Sequence, residues 1–435
     1  MDIETTEPVR LPPGPRLPKI LQGIAFLAAR QAVVEALSRR HGGAFTVEVP
    51  IFGRTVVVGD PVLVKELFGM GIGVLGRPGH TFGAVIGPGS TWGLDGQAFV
   101  ERRRLLAPPL HGKRISAYER TIDEEVRREI ADWPQGREFA TLAPMRRITL
   151  RSLLRTVFGA EGAALDRLCR LVPPAVGIGS RIGLMPPAVR RDAGRWSPGG
   201  RFAWYRRQID AVIESLIADA RHGPGSERRD DVLALLLRAR DDNGEPMPDR
   251  HISDELLTLL MAGHESTSTT LAWAVERIRR HPRLLSRLIA EADAGGSELR
   301  RATILEVQRS RPVVDATLRR SRKRIRLGDW VIPEDTTLLI SLQLANELSF
   351  VGATDFNPDR FLAGAPQVTW FPFGGGVNRC IGSAFATMEM DVTLRRLLRE
   401  FHFVPTDAPG ERPHDRGVAI APRQGGKAVV YRRRR

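Results

Sequence analysis

Residues 371–382 read FPFGGGVNRCIG and hold one of only two cysteines in a chain of 435 residues, behind three consecutive glycines. After Cys380, the residues Ile381, Phe385, Met388 and Val392 recur at helical spacing, which predicts a helix beginning at the cysteine. Unpaired backbone N–H groups and the dipole at such a start favour an anion, so a thiolate is stabilised there. The glycines carry no Cβ and let the backbone approach something flat or bulky.

Three chemistries fit a thiol in that setting. A phosphate cradle needs GxGxxG, or GxxxxGK followed by Ser or Thr; Gly374 and Gly376 begin the first pattern, Arg379 ends it, and no Gly-Lys follows. A nucleophilic cysteine needs a histidine base, whose place in space the sequence does not give. A thiolate ligand to a cofactor iron needs one cysteine, a helix start and close backbone approach, and all three are suggested here. The other cysteine, Cys169, lies in the helix-like run LDRLCRLV, where a buried, inert thiol is expected.

A second run with chemical potential is HISDELLTLLMAGHESTSTTLAWAVERIRRHP. Its pattern predicts a helix from about Ser253 to Arg280 that stops before Pro282, and at ~1.5 Å per residue it spans roughly 40 Å. In its middle, AGHESTST uses glycine and hydroxyl residues where leucine or alanine makes the better helix. Ser and Thr compete for backbone hydrogen bonds and Gly costs about 1 kcal/mol, which predicts a local widening. Taken alone, the run reads equally well as a buried core helix with a packing glycine. His264 and Glu265 begin the zinc-protease pattern HExxH, but Ser268 stands where its second histidine belongs, and no other histidine has metal-ligand spacing. Glu306 and Arg309 in ILEVQRSRP are neighbours on a helix face, ordinarily a surface pair worth ~0.5 kcal/mol or less.

The spacing Phe373-x-x-Gly376-x-x-x-Cys380-x-Gly382 resembles the haem-binding signature of the cytochromes P450, the haem-thiolate monooxygenases. The resemblance implies that Cys380 is the axial ligand to the iron of haem b, that Gly376 and Gly382 let the loop and helix lie against the porphyrin, and that Phe373 shields the sulfur. AGHES resembles the family's oxygen groove. There Ala262 and Gly263 would leave room for dioxygen, and Glu265 with Ser266, in place of the more usual threonine, would relay protons. Glu306, Arg309 and the FNPDRF segment with Arg360 resemble the family's buried scaffold network. WGLDGQAFVERRRLLAPPLHGKR resembles the helix over one haem edge, with Arg103 on a propionate and Arg319, or Arg320 in the other register, as a further contact. Phe99 and Asn378 stand where that family often has propionate-holding polar residues. LLAPPLHGKR and LLMAGHEST are similar to soluble actinobacterial members.

These residues need elements to hold them. AFTVEVPIFGRTVVVGD reads as a β-hairpin, and Asp60 with Pro61 as a helix start. Residues 71–98 are glycine-rich and irregular, and about 99–320 are mainly helical, broken at 195–200, 221–230 and 241–248. RIRLGDWVI turns at Gly328-Asp329, TTLLIS is a strand, and GVAIAPRQGGKAVVY reads as a terminal hairpin. The expectation is α+β, mainly α-helical: a single domain over 1–435 of the cytochrome P450 type, with a smaller β-rich part whose first and last strands share a sheet. Residues 1–15 form a proline-rich, flexible leader and 432–435 a basic tail.

Composition narrows the partners. The net charge of +15, mostly arginine, favours acidic partners. With 6% aromatics and no zinc-finger spacing, nucleic-acid binding is not expected. The start lacks a signal peptide and KILQGIAFLAARQ is too short to span a bilayer, so no membrane anchor and a cytoplasmic monomer are expected. Nothing resembles a flavin or nicotinamide domain. The resemblance therefore implies electrons from a ferredoxin-type donor with its reductase, docking near Arg102, Arg103, Arg104, Lys113 and Arg114. The substrate would be an apolar small molecule in a pocket walled by residues 71–98 and by Leu260, Met261 and His264. A haem-binding sensor or carrier without productive monooxygenation is the alternative.

Overall fold

β-Branched residues and a capped turn build the first elements. The computed structural model describes residues 4–49, 52–78, 83–112, 114–183, 185, 187–223, 229, 231–240, 244–362, 370–417 and 419–434. Helix α1 (Lys19–His41) bends at Ala29 and leads into strands β1 (Ala44–Val49) and β2 (Gly53–Val58), which pair antiparallel with Ala44 opposite Val58. Asp60 caps α2 (Pro61–Gly69), its carboxylate accepting from the N–H groups of Val62 at 2.9 Å and Leu63 at 3.1 Å. Pro61 sits where a backbone donor would have had no partner.

The helical body follows β3 (Leu75–Gly76): α3 (Gly83–Ile86), α4 (Gly96–Leu106) and α5 (Arg114–Ile130), then, after β4 (Phe139–Ala140), α6 (Leu142–Val157), α7 (Gly162–Ile182), α8 (Pro187–Arg190), α9 (Pro198–His222) and α10 (Val232–Arg238). Next come α11 (Asp249–Ile278), α12 (Pro282–Asp293) and α13 (Glu298–Ser310). The chain is 56% helical and 13% strand, a mainly α-helical α+β domain. Parts of the expected breaks at 221–230 and 241–248 lie outside the described residues, as does Lys113.

Helix α11 is the axis of the site. It packs on α6, α13 and α15 (Ser383–Glu400) and is buried through most of its length, with Trp273 fully enclosed and its indole N–H donating to the Ile420 carbonyl at 3.0 Å. The expected widening is absent: α11 runs unbroken, because Ser266, Thr267 and Thr270 each donate back one turn, to the carbonyls of Ala262 (2.9 Å), Gly263 (3.1 Å) and Ser266 (3.1 Å). Hydroxyls used in this way satisfy themselves without opening the helix.

The later strands are β5 (Ala316–Ser321), β6 (Ile325–Leu327), β7 (Trp330–Ile332) and β8 (Thr337–Ser341), followed by α14 (Leu342–Ser349). The main sheet has the order β1-β2-β8-β5-β3, with β2 and β8 parallel. The last strands do not join it. β9 (Phe401–Phe403) pairs with β13 (Val430–Arg432), β10 (Pro413–Asp415) with β11 (Ile420–Pro422), and β12 (Lys427–Ala428) with β4. The expected terminal hairpin is therefore wrong: its two arms reach separate partners, split by the Gly425-Gly426 bend, where both residues have positive φ (80° and 65°).

The described part of the leader makes backbone contacts with the sheet region. Arg10 exchanges backbone hydrogen bonds with Val331 at 3.0 and 2.8 Å, and the N–H of Thr46 donates to Pro13 at 2.9 Å. In the basic tail, Arg433 pairs with Asp293 at 2.6 Å. Among the described residues no single helix is long and apolar enough to cross a membrane; only the two arms of α1, sharply bent, pass such a test together.

Candidate functional site

The cysteine loop is shaped by positive-φ glycines. Gly374 (φ 67°) and Gly376 (φ 62°) reverse the chain, and the N–H of Cys380 donates to the Phe373 carbonyl at 2.9 Å. Helix α15 starts at Ser383 with Gly382 as its cap, so Cys380 stands just ahead of the helix instead of opening it. The N–H of Gly382 donates to the sulfur, and the charges of Arg103 and Arg379 act in the same direction, yet burial outweighs them and pushes the thiol pKa up. The exposed surface of Cys380 faces an internal cavity of 390 Å³. A buried thiol of this kind becomes a thiolate when a metal cation supplies the missing charge.

The glycines act differently from expectation. A Cβ on Gly376 would lie 2.2 Å from the Phe68 carbonyl oxygen, and one on Gly375 2.5 Å from the Phe68 ring. Gly376 is thus required by contact with α2. A Cβ on Gly382 meets nothing within 4 Å, which leaves space beside the cysteine.

Across the cavity, α11 contributes Met261, Ala262, Glu265 and Ser266 to the wall, and the cysteine loop contributes Phe373 and Asn378. Gly263 points elsewhere: its Cβ would lie 3.0 Å from Leu153 of α6, so it lets two helices approach. The Glu265 carboxylate is held in a short ion pair by Arg146 of α6. His264 is buried against the Leu260 carbonyl at 2.6 Å, and desolvation lowers its pKa, so it stays neutral beside this pair.

Three arginines converge near the cysteine. Arg319 lines the cavity, is 6% exposed, and is pushed down to about 10 by burial and by the charge of Arg77. Arg320, the other register, faces outward and pairs with Asp335. Arg103 donates to the Arg379 carbonyl at 2.6 Å. Arg77 went unnoticed in the sequence, because the irregular 71–98 region has no periodicity to show which way a side chain points. Its guanidinium lies 4.5 Å from the Phe99 ring centre, its Nη1 donates to the Thr91 carbonyl at 2.6 Å, and burial lowers it to about 10. Phe99 therefore occupies its unusual position as a ring between Arg77 and Arg103, the latter 5.5 Å from its centre.

Among the described residues none of these three arginines forms a direct ion pair; Asp95, which acts on Arg77 through space, is paired with Arg322 at 2.5 Å. Clustered, desolvated guanidinia with no carboxylate in direct contact are costly, so the site favours an anionic guest. A flat dicarboxylate such as haem, ligated by the nearby thiol, fits that demand.

Behind the cysteine loop, Glu306 takes a bidentate pair from Arg309 at 2.7 and 2.8 Å and a third contact from Arg360 at 3.2 Å. Glu306 and Arg309 are buried, not a surface pair, and the N–H of Asn357 donates to Glu306 at 2.7 Å. Arg102 also departs from expectation. It is turned inward to Gly89 (2.6 Å) and Glu255 (3.0 Å), so it does not contribute to an outer docking face. Arg104 is exposed, and the Arg114 side chain lies outside the described set.

The cytochrome P450 family model matches residues 12–427. A protein of Mycobacterium tuberculosis, provisionally named cytochrome P450 138, is 49% identical over 98% of this chain and 97% of its own length. Another from that organism, provisionally named cytochrome P450 135B1, is 34% identical over 98% of this chain and 92% of its own. Among solved structures, the cytochrome P450DA haem domain superposes with a TM-score of 0.85 at 20% identity, covering 98% of both chains. Cyanobacterial CYP120A1 with bound retinoic acid gives 0.84 at 19%, covering 98% of this chain and 100% of its own.

Proposed function

The chain belongs to the cytochrome P450 family of haem-thiolate monooxygenases, and on that premise we propose that Cys380 ligates the iron of haem b. When bound, the haem supplies dioxygen activation and insertion of one oxygen atom into an organic substrate. The N–H of Gly382 partly neutralises the sulfur, and Phe373, in the same loop, shields it. Arg319, Arg103 and Arg77 hold the propionates.

Glu265 and Ser266 deliver protons. Arg146 keeps the Glu265 carboxylate in place at the cavity wall, and the Ser266 hydroxyl, now donating to Ala262, rotates to pass a proton inward. The observation that carries this reading is that the thiol and the acid–alcohol pair line one largely apolar space. That wall suits an apolar small-molecule substrate. The electron donor is an acidic, ferredoxin-type protein with its reductase, working in the cytoplasm and docking on exposed cations near the cysteine such as Arg104 and Arg379.

Turnover with a surrogate ferredoxin and reductase tests the reading. Oxygen uptake matched by oxidised product supports it, and Ser266→Ala should divert more of that oxygen to hydrogen peroxide. Uptake that yields only hydrogen peroxide in the unaltered protein favours a ligand carrier.

A further inference from the structure

One charged group in the cavity wall has no part in holding the haem or the thiol. Arg416 sits at the tip joining β10 and β11, where its N–H donates to the Ala419 carbonyl at 2.9 Å. The next residue, Gly417, has φ 103°, and a Cβ there would lie 3.1 Å from the Ser180 carbonyl oxygen. The tip is therefore pressed against the end of α7, and Arg416, Ala419 and Ser180 line the cavity together.

The Arg416 guanidinium is under-neutralised. Its one carboxylate neighbour among the described residues is Glu265, with Nε 4.0 Å from Oε1, and that carboxylate is already held tightly by Arg146. Asp415, adjacent in the chain, lies 3.6 Å from Arg30 instead, and His264 is neutral. Two guanidinia thus share one carboxylate, and the Arg416 side chain keeps 38% of its surface open. The wall around it is apolar, with Val176, Met261, Val313 and Ala419. A guanidinium presents a planar fork of donors that matches a carboxylate, and in an apolar enclosure it favours a ligand that brings its own negative charge.

Resting on the monooxygenase reading, we propose that Arg416 is a substrate-binding residue that takes the carboxylate of an otherwise apolar organic acid. The pocket then selects amphipathic acids over their neutral derivatives, with the acid group anchored at the Glu265 end of the cavity.

The test is spectral titration of the haem-loaded protein with apolar acids of three shapes, straight-chain, terpenoid and aryl, each beside its methyl ester. At least one acid should bind about 10–100-fold more tightly than its ester, the range for a hydrogen bond to a charged group. Arg416→Gln should erase that preference while leaving the ester affinity unchanged, and Arg416→Lys should restore part of it. Equal binding of every acid and ester, no saturable binding of any acid, or a preference that survives Arg416→Gln overturns the proposal. Should Arg416→Gln fail to fold, the wild-type ratio and Arg416→Lys decide. A wild-type protein whose ferrous carbonyl complex lacks the thiolate band overturns the monooxygenase reading itself, which separates the two failures.

Discussion

Glu255 of α11 accepts two hydrogen bonds from Thr91 through the same oxygen, from the backbone N–H at 2.8 Å and the hydroxyl at 2.6 Å. Its neighbour Asp254 accepts from the Gly89 N–H at 2.9 Å and from Arg206 at 2.6 Å. Arg206 in turn reaches the Ile86 carbonyl. Two consecutive buried carboxylates therefore strap segment 86–92 to α11, and that segment carries Trp92 into the cavity wall.

Cutting the strap should be costly. Glu255→Ala leaves Arg102, mostly buried, without its counter-ion and removes both Thr91 contacts. Breaking such a pair costs ~3–5 kcal/mol. Urea unfolding reads that loss, and hydrogen exchange should show amides of 86–92 opening first. A loss below about 1 kcal/mol with unchanged exchange would mean that the segment is held by other contacts.

Buried Glu389 gives stability a pH dependence. It lies on α15 near Ser152 of α6, and burial raises its pKa to about 8. An unfolded glutamate titrates near ~4.3, so between about 5 and 8 the native state binds a proton that the unfolded state has released. Native stability contributed by this group therefore falls as pH rises, with a slope approaching about 1.4 kcal/mol per pH unit, and levels off above pH ~8. Glu389→Gln, neutral at every pH, should flatten this slope in chemical unfolding between pH 5 and 8. An unchanged slope would place the proton elsewhere.

Two glycines of the cysteine loop should behave differently. Alanine at Gly376 meets both a left-handed φ and the Phe68 carbonyl at 2.2 Å, which together cost about 2–5 kcal/mol. Alanine at Gly382 meets nothing within 4 Å of the protein, so folding stability should move by less than about 0.5 kcal/mol. Any loss in Gly382→Ala should then appear as faster haem release. Equal unfolding midpoints for the two variants would contradict this division.

Local features were legible in the sequence. The β1–β2 ribbon, the Asp60 cap and the Gly328 turn depend on neighbouring residues, and each appears where its pattern places it. Helix α11 was placed within a few residues at each end, Pro282 marking its far limit. The terminal ribbons were not legible. Lys427–Ala428 and Val430–Arg432 pair with Phe139–Ala140 and Phe401–Phe403, and alternation within a strand does not name a distant partner. Arg102 was misplaced although a signal existed: Phe99, Arg102 and Leu106 share one helical face, and the two apolar members are buried. Cys380, Glu265 and Ser266, singled out by the resemblance of their motifs, line one cavity, whereas Arg416 joins that wall, and Arg77 packs on Phe99 beside Arg103, from irregular segments with no periodicity to reveal them.

The ferrous carbonyl spectrum is the sharpest test of Cys380 as the haem ligand. Wild-type protein should show the red-shifted band of a thiolate-ligated haem, which should disappear in Cys380→Ala and remain in Cys169→Ala. A band that persists in Cys380→Ala, or is missing from freshly prepared wild-type protein, would contradict the assignment of Cys380 as the ligand.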